Sequence, residues 1–241
     1  MALVGFTSFR NPGWFPEWQT DAVGDAASLL EFAGRLCYLS FANPLHRSNR
    51  QYLDNILARQ HFSVMEHASV SIAIRGVSRS LTHELVRHRH FSYSQVSQRF
   101  VNEEDAAFVL PIEVREHGLD ADVVEAAREA RRAYLELASA LSRRLAEAEP
   151  DRTERRKRAR QAARCVLPNM TETALVVTGN LRAWATFLKK RGAPEAEPEI
   201  RRLALLIHEI LNDIAPEIFE HFHVDRDEAG RGTLVADVDF E

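Results

Sequence analysis

The first part of the chain repeats its hydrophobic residues with the period of a helix. Apolar positions recur every three to four residues after Asp21 and Asp25, and again after Ser48. Aspartate and serine are common at helix starts because their side chains accept hydrogen bonds from unpaired backbone N–H groups. The pattern predicts one helix ending near Ser40 and a second over residues 49–59.

The stretch ASVSIAIRG changes to strict alternation. Val70, Ile72 and Ile74 alternate with small or polar residues, which is typical of a strand with one buried face. From Val77 the period lengthens again, and we expect a short helix that runs directly into the next motif.

The second half of the chain is mostly helical by the same criterion. The pattern predicts helices over residues 123–148 and 153–165, a strand over residues 173–178, a helix capped by Asn180, and a long last helix that Pro216 helps to close. Helices outnumber strands and do not alternate regularly with them, which favours an α+β fold over a doubly wound sheet. With no repeat and no Gly/Ser linker, we expect one domain over residues 1–241, with residues 225–241 as a C-terminal tail.

Composition and charge narrow the possible partners. The chain is 45% hydrophobic and 27% charged, with a formal net charge of −4 and a pI near 6.2. The molecule as a whole therefore has no general attraction for nucleic acid or an anionic membrane, and any anion site must be local. No stretch approaches the roughly 18 apolar residues of a membrane span, and the start does not resemble a signal peptide. We expect a cytoplasmic protein with no membrane or nucleic-acid partner.

The stretch RHRHFSYSQVSQRF, residues 87–100, concentrates cationic donors in this mildly acidic chain. If the preceding helix continues to about Arg89, Glu84 and Arg87 lie three residues apart and face the same space. Guanidinium forks match phosphate oxygens in pairs, whereas Ser and Gln side chains can bind the polar edge of a base. The stretch thus predicts a nucleotide site.

Two further features extend this prediction. If the sequence after Phe91 is extended, Gln95, Ser97 and Arg99 project to one side. A basic run, DRTERRKRARQAARC, would place Lys157, Arg160 and Arg164 along one helical stripe. Such a run is most often a solvated face, but here it accompanies a second cationic cluster and no glycine-rich phosphate loop.

Other chemistries are weakly supported. HELVRH resembles a zinc-binding H-E-x-x-H motif, but His83 and His88 are five residues apart and would point about 140° from each other on a helix. We expect no metal. Ser97 lies in no G-x-S-x-G motif, so it is a poor candidate nucleophile. Neither Cys37 nor Cys165 lies in a motif that activates a thiolate, and we expect Cys165 to be packed.

Arg87-His88-Arg89, followed after seven residues by Ser97, resembles the RHR-x7-S signature of the flavin-dependent thymidylate synthases. HFSVMEH, RRKRARQAARCVLP, TGNLRAW and FLKKRG resemble stretches of that family in the same order. The resemblance extends over residues 34–211. It implies a central, mostly antiparallel sheet flanked by long helices, in a homotetramer whose active sites are shared between subunits.

The resemblance also implies an activity. Members of the family make dTMP from dUMP, with 5,10-methylenetetrahydrofolate as the one-carbon donor and NADPH as the reductant through bound FAD. They use no enzymic cysteine nucleophile, which agrees with the lack of an activated cysteine motif here. The protein would contribute positioning and electrostatic stabilisation, while the cofactor supplies the redox chemistry.

Residue by residue, the resemblance implies two sets of contacts. The dUMP contacts are expected at Glu84, Arg87, Gln95, Val96, Ser97, Gln98, Arg99, Lys157, Arg164 and Arg191. The FAD contacts are expected at Ser63, Glu66, Arg87, His88, Arg89, Gln95, Asn180, Arg182 and Thr186. Arg191 corresponds to an arginine that favours ionisation at uracil N3, and it is the expected catalytic residue. Thr186 stands where many members carry Asn or His, and His61 is expected on the folate or NADPH side.

Two other function classes stay open from the sequence. An RNA-binding module could use the basic helix together with Tyr93 and its aromatic neighbours as stacking surfaces, although no RRM or KH signature is present. A non-catalytic flavoprotein could be built on the same site. Binding residues alone do not distinguish it from an enzyme.

Overall fold

The computed structural model describes residues 1–42 and 46–240. Its elements confirm the α+β class. The first part of the chain forms β1 (Ala2–Phe6), α1 (Asp25–Leu36), α2 (Asn49–Ala58), a 3-10 helix (Phe62–Glu66), β2 (Ser69–Ser78), α3 (Arg79–Leu85) and β3 (Phe91–Gln95). The rest forms α4 (Ile112–Glu116), α5 (Asp120–Arg144), α6 (Arg152–Ala163), a 3-10 helix (Arg164–Val166), β4 (Glu172–Asn180), α7 (Leu181–Arg191), α8 (Pro198–Ile214), α9 (Pro216–Phe219), β5 (Phe222–Arg226) and β6 (Gly232–Ala236).

The chain divides into two compact units. The first unit comprises Met1–Ala73, Val86–Tyr93 and Val177–Glu241, and the second comprises Ile74–Leu85 and Ser94–Val176. A four-stranded sheet has the order β1-β2-β4-β3, and β5 and β6 form a separate two-stranded sheet. The single-domain assignment remains a prediction.

The alternation in ASVSIAIRG has the predicted consequence. Val70, Ile72 and Ile74 are at most 2% exposed, whereas the residues between them are only partly buried. β1 pairs antiparallel with this strand in a register that sets Ala2 opposite Ala73. The antiparallel pairing expected for the sheet is therefore present.

The two N-terminal helices form largely as predicted. Ser48 caps α2 through a capping box with Gln51. α1 ends at Leu36, one turn before the predicted end near Ser40. Leu39 adopts a φ of 49°, which a right-handed helix does not accommodate, and the N–H of Ser40 returns to the carbonyl of Arg35.

The condition that α3 continues to about Arg89, which would bring Glu84 and Arg87 to one face, is not met. The helix ends at Leu85, and Arg87 lies in the turn that follows. His88 instead packs edge-to-face against Phe187 of α7, with ring centroids 5.2 Å apart. The helical angle used against a zinc site therefore does not apply, although no group of three or more metal-ligating side chains occurs among the described residues.

The predicted extended stretch after Phe91 is also too long. β3 ends at Gln95, and the chain then turns, with the N–H groups of Phe100 and Val101 both donating to the carbonyl of Ser97. The Ser97 hydroxyl accepts the Arg99 N–H at 3.3 Å, a local bond that competes with strand pairing. Alternation therefore does not bring the side chains of Gln95, Ser97 and Arg99 to one side.

The helices of the second unit form close to their predicted positions. α5 spans Asp120–Arg144 rather than residues 123–148, with Asp120 and Asp122 in its first turn, where carboxylates favour a helix start. α6 begins after Asp151, whose side chain accepts the Glu154 N–H at 2.7 Å. It ends at Ala163, so the α-helix stops before the predicted residue 165.

The C-terminal residues form structure that the sequence pattern did not reveal. β5 and β6 make an antiparallel hairpin with Phe222 opposite Ala236. Phe240 is 1% exposed and stacks on Phe222 at a centroid distance of 5.0 Å. Part of the stretch expected as a tail is thus structured, and Leu234 and Phe240 are buried in the first unit. Across the described part of the chain, no helix has both the length and the apolar composition of a membrane span.

Candidate functional site

The first unit contains a cavity of about 510 Å³. Its wall combines aromatic rings, charged side chains and the first turns of α7. The lining residues are Glu66, His88, His90, Phe91, Asn180, Arg182, Ala183, Thr186, Lys190 and Phe240. This volume lies in the range of ordinary small-molecule sites, roughly 300–1,000 Å³. Glu66, His88, Asn180, Arg182 and Thr186 are residues that the sequence resemblance assigned to the flavin.

The junction between β4 and α7 forms one wall of the cavity. Asn180 caps α7, and its side-chain oxygen accepts the Ala183 N–H at 2.8 Å. Gly179 lies directly against the Phe91 ring, in space that any Cβ would occupy. The Trp184 indole N–H donates to the Val70 carbonyl at 3.2 Å and ties the first turn of α7 to β2. The wall is therefore fixed by buried contacts.

His88 links the cavity to the end of α7. The Nε of Arg191 donates to the Nε2 of His88 at 3.0 Å. Because an arginine Nε–H can only donate, this His88 nitrogen carries no proton, and a neutral ring carries its proton on Nδ1. The expected catalytic arginine is thus held by an expected flavin contact.

Tyr93 fixes the backbone of the same segment. Its hydroxyl donates to the His88 carbonyl at 2.8 Å. Burial raises the pKa of Tyr93 to about 12, so the hydroxyl keeps its proton as a donor at neutral pH. The stacking surface that the RNA-binding alternative assigned to Tyr93 is part-buried and participates in this internal bond.

Arg182 and Glu66 form an ion pair across the cavity wall, with Nη1 and Oε1 2.6 Å apart. Both side chains are more than a third exposed, so the pair contributes little stability but restricts where the guanidinium can lie. The hydroxyl of Thr186 lies 3.0 Å from the Arg182 carbonyl and 3.4 Å from that of Phe240. Thr186 therefore lines the cavity while its hydroxyl faces backbone oxygens.

Other expected flavin contacts lie elsewhere. Ser63, Arg87 and Arg89 are exposed residues of the first unit and are not among the cavity-lining residues. His61, the expected folate or NADPH contact, immediately precedes the 3-10 helix of that unit. Gln95 belongs to the second unit, where its amide donates to Thr82 and Thr173.

Sequence reasoning missed five cavity residues: His90, Phe91, Ala183, Lys190 and Phe240. His90 follows the signature directly and Lys190 precedes Arg191, so their positions offered a signal. Phe240 offered none, because it was assigned to the tail. Its place in the wall depends on the hairpin that folds back before it.

In the second unit, the signature continues as a loop of residues 96–100, here named the signature loop. Nη2 of Arg79 donates to the Val96 carbonyl at 2.7 Å. At the other end, Nη1 of Arg160 donates to the Phe100 carbonyl at 2.7 Å. Arg79 and Arg160 therefore hold the two ends of this loop through hydrogen bonds to the loop's backbone carbonyls.

The basic helix contributes further cations near the signature loop. Lys157 lies 5.2 Å from the centre of the Phe100 ring and 3.1 Å from the Glu154 carboxylate. Arg164 is exposed and follows the end of α6 as its C-cap.

The other expected nucleotide contacts lie on different elements. Glu84 lies in the last turn of α3, and Arg191 and Arg87 belong to the first unit. Within the second unit, the structure thus assembles part of the expected nucleotide set.

Two part-buried or buried ionisable side chains beside the signature loop, Arg79 and Glu103, have shifted pKa values. Burial lowers the pKa of the Arg79 guanidinium, and Glu103 opposes that effect. Burial raises the pKa of Glu103, while Arg79 and a hydrogen bond from Gln98 act against the rise. The Nε of Arg99 is buried and has no hydrogen-bond partner among the described residues. A buried donor without a partner is costly and indicates a place for an acceptor.

The expected packing of Cys165 is wrong, since both Cys165 and Cys37 are exposed thiols. Arg164 and Cys165 fall in the short 3-10 helix after α6, so the α-helical face that would have buried the cysteine does not extend to it.

Sequence comparisons identify the family of the chain. The model of the family "Thymidylate synthase complementing protein" matches residues 20–217. A "Flavin-dependent thymidylate synthase" of Mycolicibacterium vanbaalenii is 51% identical over 225 residues, covering 92% of this chain and 89% of its own. Proteins of the same name from Mycobacterium avium and Mycobacterium tuberculosis are each 50% identical, over 230 and 228 residues, with the same coverage of both chains. The chain therefore belongs to the flavin-dependent thymidylate synthase family.

Proposed function

We propose that this protein synthesises dTMP from dUMP, using 5,10-methylenetetrahydrofolate as the one-carbon donor and NADPH as the reductant through bound FAD. The cavity of the first unit carries the proposal, because it joins signature residues to α7 in a member of the flavin-dependent thymidylate synthase family. No cysteine nucleophile is part of it.

The cavity residues fit a flavin. His88 offers a ring to a flat aromatic group, the buried rings of Phe91 and Phe240 support the wall, and Arg182 and Lys190 offer cations to the phosphates. When bound, the flavin supplies the electrons taken from NADPH and the carrier for the one-carbon unit. Glu66, Asn180 and Thr186 would orient it from the same wall, with Ser63, Arg87, Arg89 and Gln95 as further proposed contacts.

Arg191 is the proposed catalytic residue. A guanidinium beside the uracil ring would stabilise the negative charge that develops at N3. The bond from its Nε to His88 restricts the orientation of the group before the substrate arrives, which lowers the cost of reaching the reactive arrangement.

The signature loop is the proposed nucleotide-binding element. The unpartnered Nε of Arg99 supports an anionic or carbonyl acceptor here. Ser97, Gln98 and Val96 would add hydrogen bonds through side chain or backbone. Lys157 and Arg164 would supply positive charge, with Glu84, Arg87 and Gln95 as further proposed contacts.

The first test is the visible absorption spectrum of the purified protein after FAD is added and the excess removed. NADPH is then added without oxygen, with and without dUMP. Retained flavin that NADPH bleaches, at a rate or with a spectrum that dUMP alters, would support binding of both ligands and an effect of dUMP on the flavin.

The same experiment separates the alternatives. A protein that retains no flavin contradicts the proposal, and RNA binding that dUMP fails to displace would then favour the RNA-binding alternative. A protein that retains flavin and is bleached, but forms no dTMP when methylenetetrahydrofolate is supplied, is the non-catalytic flavoprotein.

A further inference from the structure

Glu103 is a buried carboxylate that no motif of the sequence singled out. It is 4% exposed and lies in the second unit, three residues beyond the signature loop. A carboxylate so removed from water is costly unless a cation or a donor compensates it. The groups around Glu103 must therefore compensate its negative charge.

Both compensating partners hold the signature loop. Gln98, itself 9% exposed, belongs to the loop and donates a side-chain hydrogen bond to Glu103. The positive charge of Arg79 interacts electrostatically with the Glu103 carboxylate. The same guanidinium donates a hydrogen bond to the Val96 carbonyl. Glu103 thus acts on the loop through one loop side chain, that of Gln98, and through Arg79 on one loop carbonyl.

The surroundings of Arg79 explain why its positive charge needs a nearby carboxylate. The Nε of Arg79 is buried and has no hydrogen-bond partner within the described residues. Arg164 adds a second positive charge that disfavours the charged form of Arg79. The Glu103 carboxylate opposes both effects, because it stabilises the Arg79 cation in a part-buried position. Without it, Arg79 would be drawn toward water and away from Val96.

We propose that Glu103 is a positioning residue for the nucleotide, holding the signature loop in its binding shape through Gln98 and Arg79. The inference rests on the proposed function for the identity of the nucleotide, dUMP. Glu103 itself touches no substrate in this proposal. The loop geometry it maintains is a property of the protein alone and can be measured without any ligand.

Glu103→Gln is the informative variant because two effects oppose each other in it. It removes a negative charge from the neighbourhood of an anion, which by Coulomb attraction alone would tighten dUMP binding. It also removes the counter-charge of Arg79, which by loss of positioning would weaken binding. The positioning effect predicts a dissociation constant for dUMP raised roughly tenfold, the usual consequence of leaving a buried charged donor uncompensated.

Glu104→Gln is the matched control. Glu104 is exposed, and its carboxylate accepts from Asn102 at 2.8 Å rather than from the loop. The two variants make the same chemical change one residue apart. Full-length wild type and both variants, loaded with FAD, are compared by dUMP binding, by the KM for dUMP and kcat of dTMP formation, and by amide hydrogen exchange.

The expected result is specific to Glu103→Gln. Its KM for dUMP rises about tenfold, while kcat at saturating dUMP and the retained flavin stay near wild type. The amides of Val96 and Val101, which donate to Ala174 and Ser97, exchange about tenfold faster. Glu104→Gln matches wild type throughout. If Glu103→Gln does not fold, Glu103→Asp keeps the charge and should show the same changes to a smaller extent.

Unchanged or tighter dUMP binding in Glu103→Gln, with wild-type exchange at Val96, would overturn the proposal. An equal fall in kcat and flavin content with unchanged KM would do the same, since that outcome indicates a general structural role. If wild type binds no dUMP, the proposed function fails. The exchange of Val96 and Val101 alone then decides whether Glu103 holds the loop.

Discussion

At the scale of single residues, the contact between Arg191 and His88 has the clearest chemical consequence. The two side chains meet at 3.0 Å, and each belongs to a different expected ligand set. A histidine that accepts an arginine N–H through Nε2 cannot protonate that nitrogen without losing the bond. The pair therefore fixes both the tautomer of His88 and the orientation of the guanidinium.

Arg191→Ala should reduce turnover more than flavin retention. We expect kcat to fall about a hundredfold or more, as when one preorganised donor at developing charge is removed. Turnover per bound flavin is measured, together with flavin content. Lys189→Ala is the control, since it removes a cation from the same helical turn outside the cavity wall. Loss of flavin with unchanged turnover per bound flavin would show that Arg191 is a flavin contact only.

Tyr93→Phe should lower the free energy of unfolding by about 1 kcal/mol near pH 8, because the donor to the His88 carbonyl is lost. The pKa of Tyr93 is raised from its ordinary value of 10.0 to about 12. The folded state thus favours the neutral hydroxyl, and this stabilisation is complete below pH 10.0 and lost as pH rises through about 12. Urea unfolding of both proteins should show their difference narrowing over that range. A difference independent of pH would contradict the role of Tyr93 as the donor.

At the scale of elements, the start of α7 determines the cavity wall. The helix begins where β4 ends, and its cap, Asn180, also lines the cavity. An uncapped helix start leaves backbone donors unpaired, which destabilises the turn that forms this wall. Capping and cofactor binding therefore depend on the same residue.

Asn180→Ala should lower the free energy of unfolding by about 1 kcal/mol and also weaken FAD binding. Ser48→Ala removes the cap of α2, so it should cost similar stability and leave FAD binding unchanged. Asn180→Asp keeps an acceptor for Ala183 but adds negative charge at the cavity, and should recover stability without recovering affinity. Thermal unfolding and flavin titration give the two quantities. Equal FAD affinity in Asn180→Ala and Ser48→Ala would contradict the shared role.

At the scale of the whole molecule, the C-terminal hairpin closes the core of the first unit. The N–H of Leu234 in β6 donates to the carbonyl of Gly192 at the end of α7. Gly192 lies so close to Leu234 and to the Leu188 carbonyl that a Cβ would find no room. This contact brings the following residues back to the cavity, where Phe240 forms part of the wall.

Phe240→Ala should therefore affect stability and flavin together. The ring packs between Phe222 and Phe62, and its removal should lower the free energy of unfolding by about 3–5 kcal/mol. We also expect weaker FAD retention, measured by titration at a temperature where the variant is folded. Asp239→Ala is the control, because that side chain is exposed and points to Lys189. Wild-type stability in Phe240→Ala would show that the C-terminal residues are an independent tail.

Assembly is the other prediction at this scale. We expect a homotetramer with active sites shared between subunits. Sedimentation of the FAD-loaded protein, with and without dUMP, measures its mass. A stable monomer that forms dTMP at the full rate would contradict shared sites.

The sequence determined the elements whose evidence is local. The alternation of Val70, Ile72 and Ile74 predicted β2, and the caps at Ser48 and Asn180 predicted the starts of α2 and α7. It also determined the family, because the spacing of the RHR-x7-S signature depends only on the order of residues. Periodicity and capping are properties of residues close together in the chain, so they can be recognised without knowledge of the tertiary structure.

Only the tertiary structure decided where those elements stop and what they surround. α3 ends before Arg87 since His88 contacts α7, and the strand ends at Gln95 since Ser97 bonds to its own neighbours. The buried Glu103 and the cavity wall at Phe240 depend on residues distant in the chain, whose packing leaves no periodic signal. Contacts of that kind arise from burial and charge compensation in three dimensions, and local pattern does not encode them.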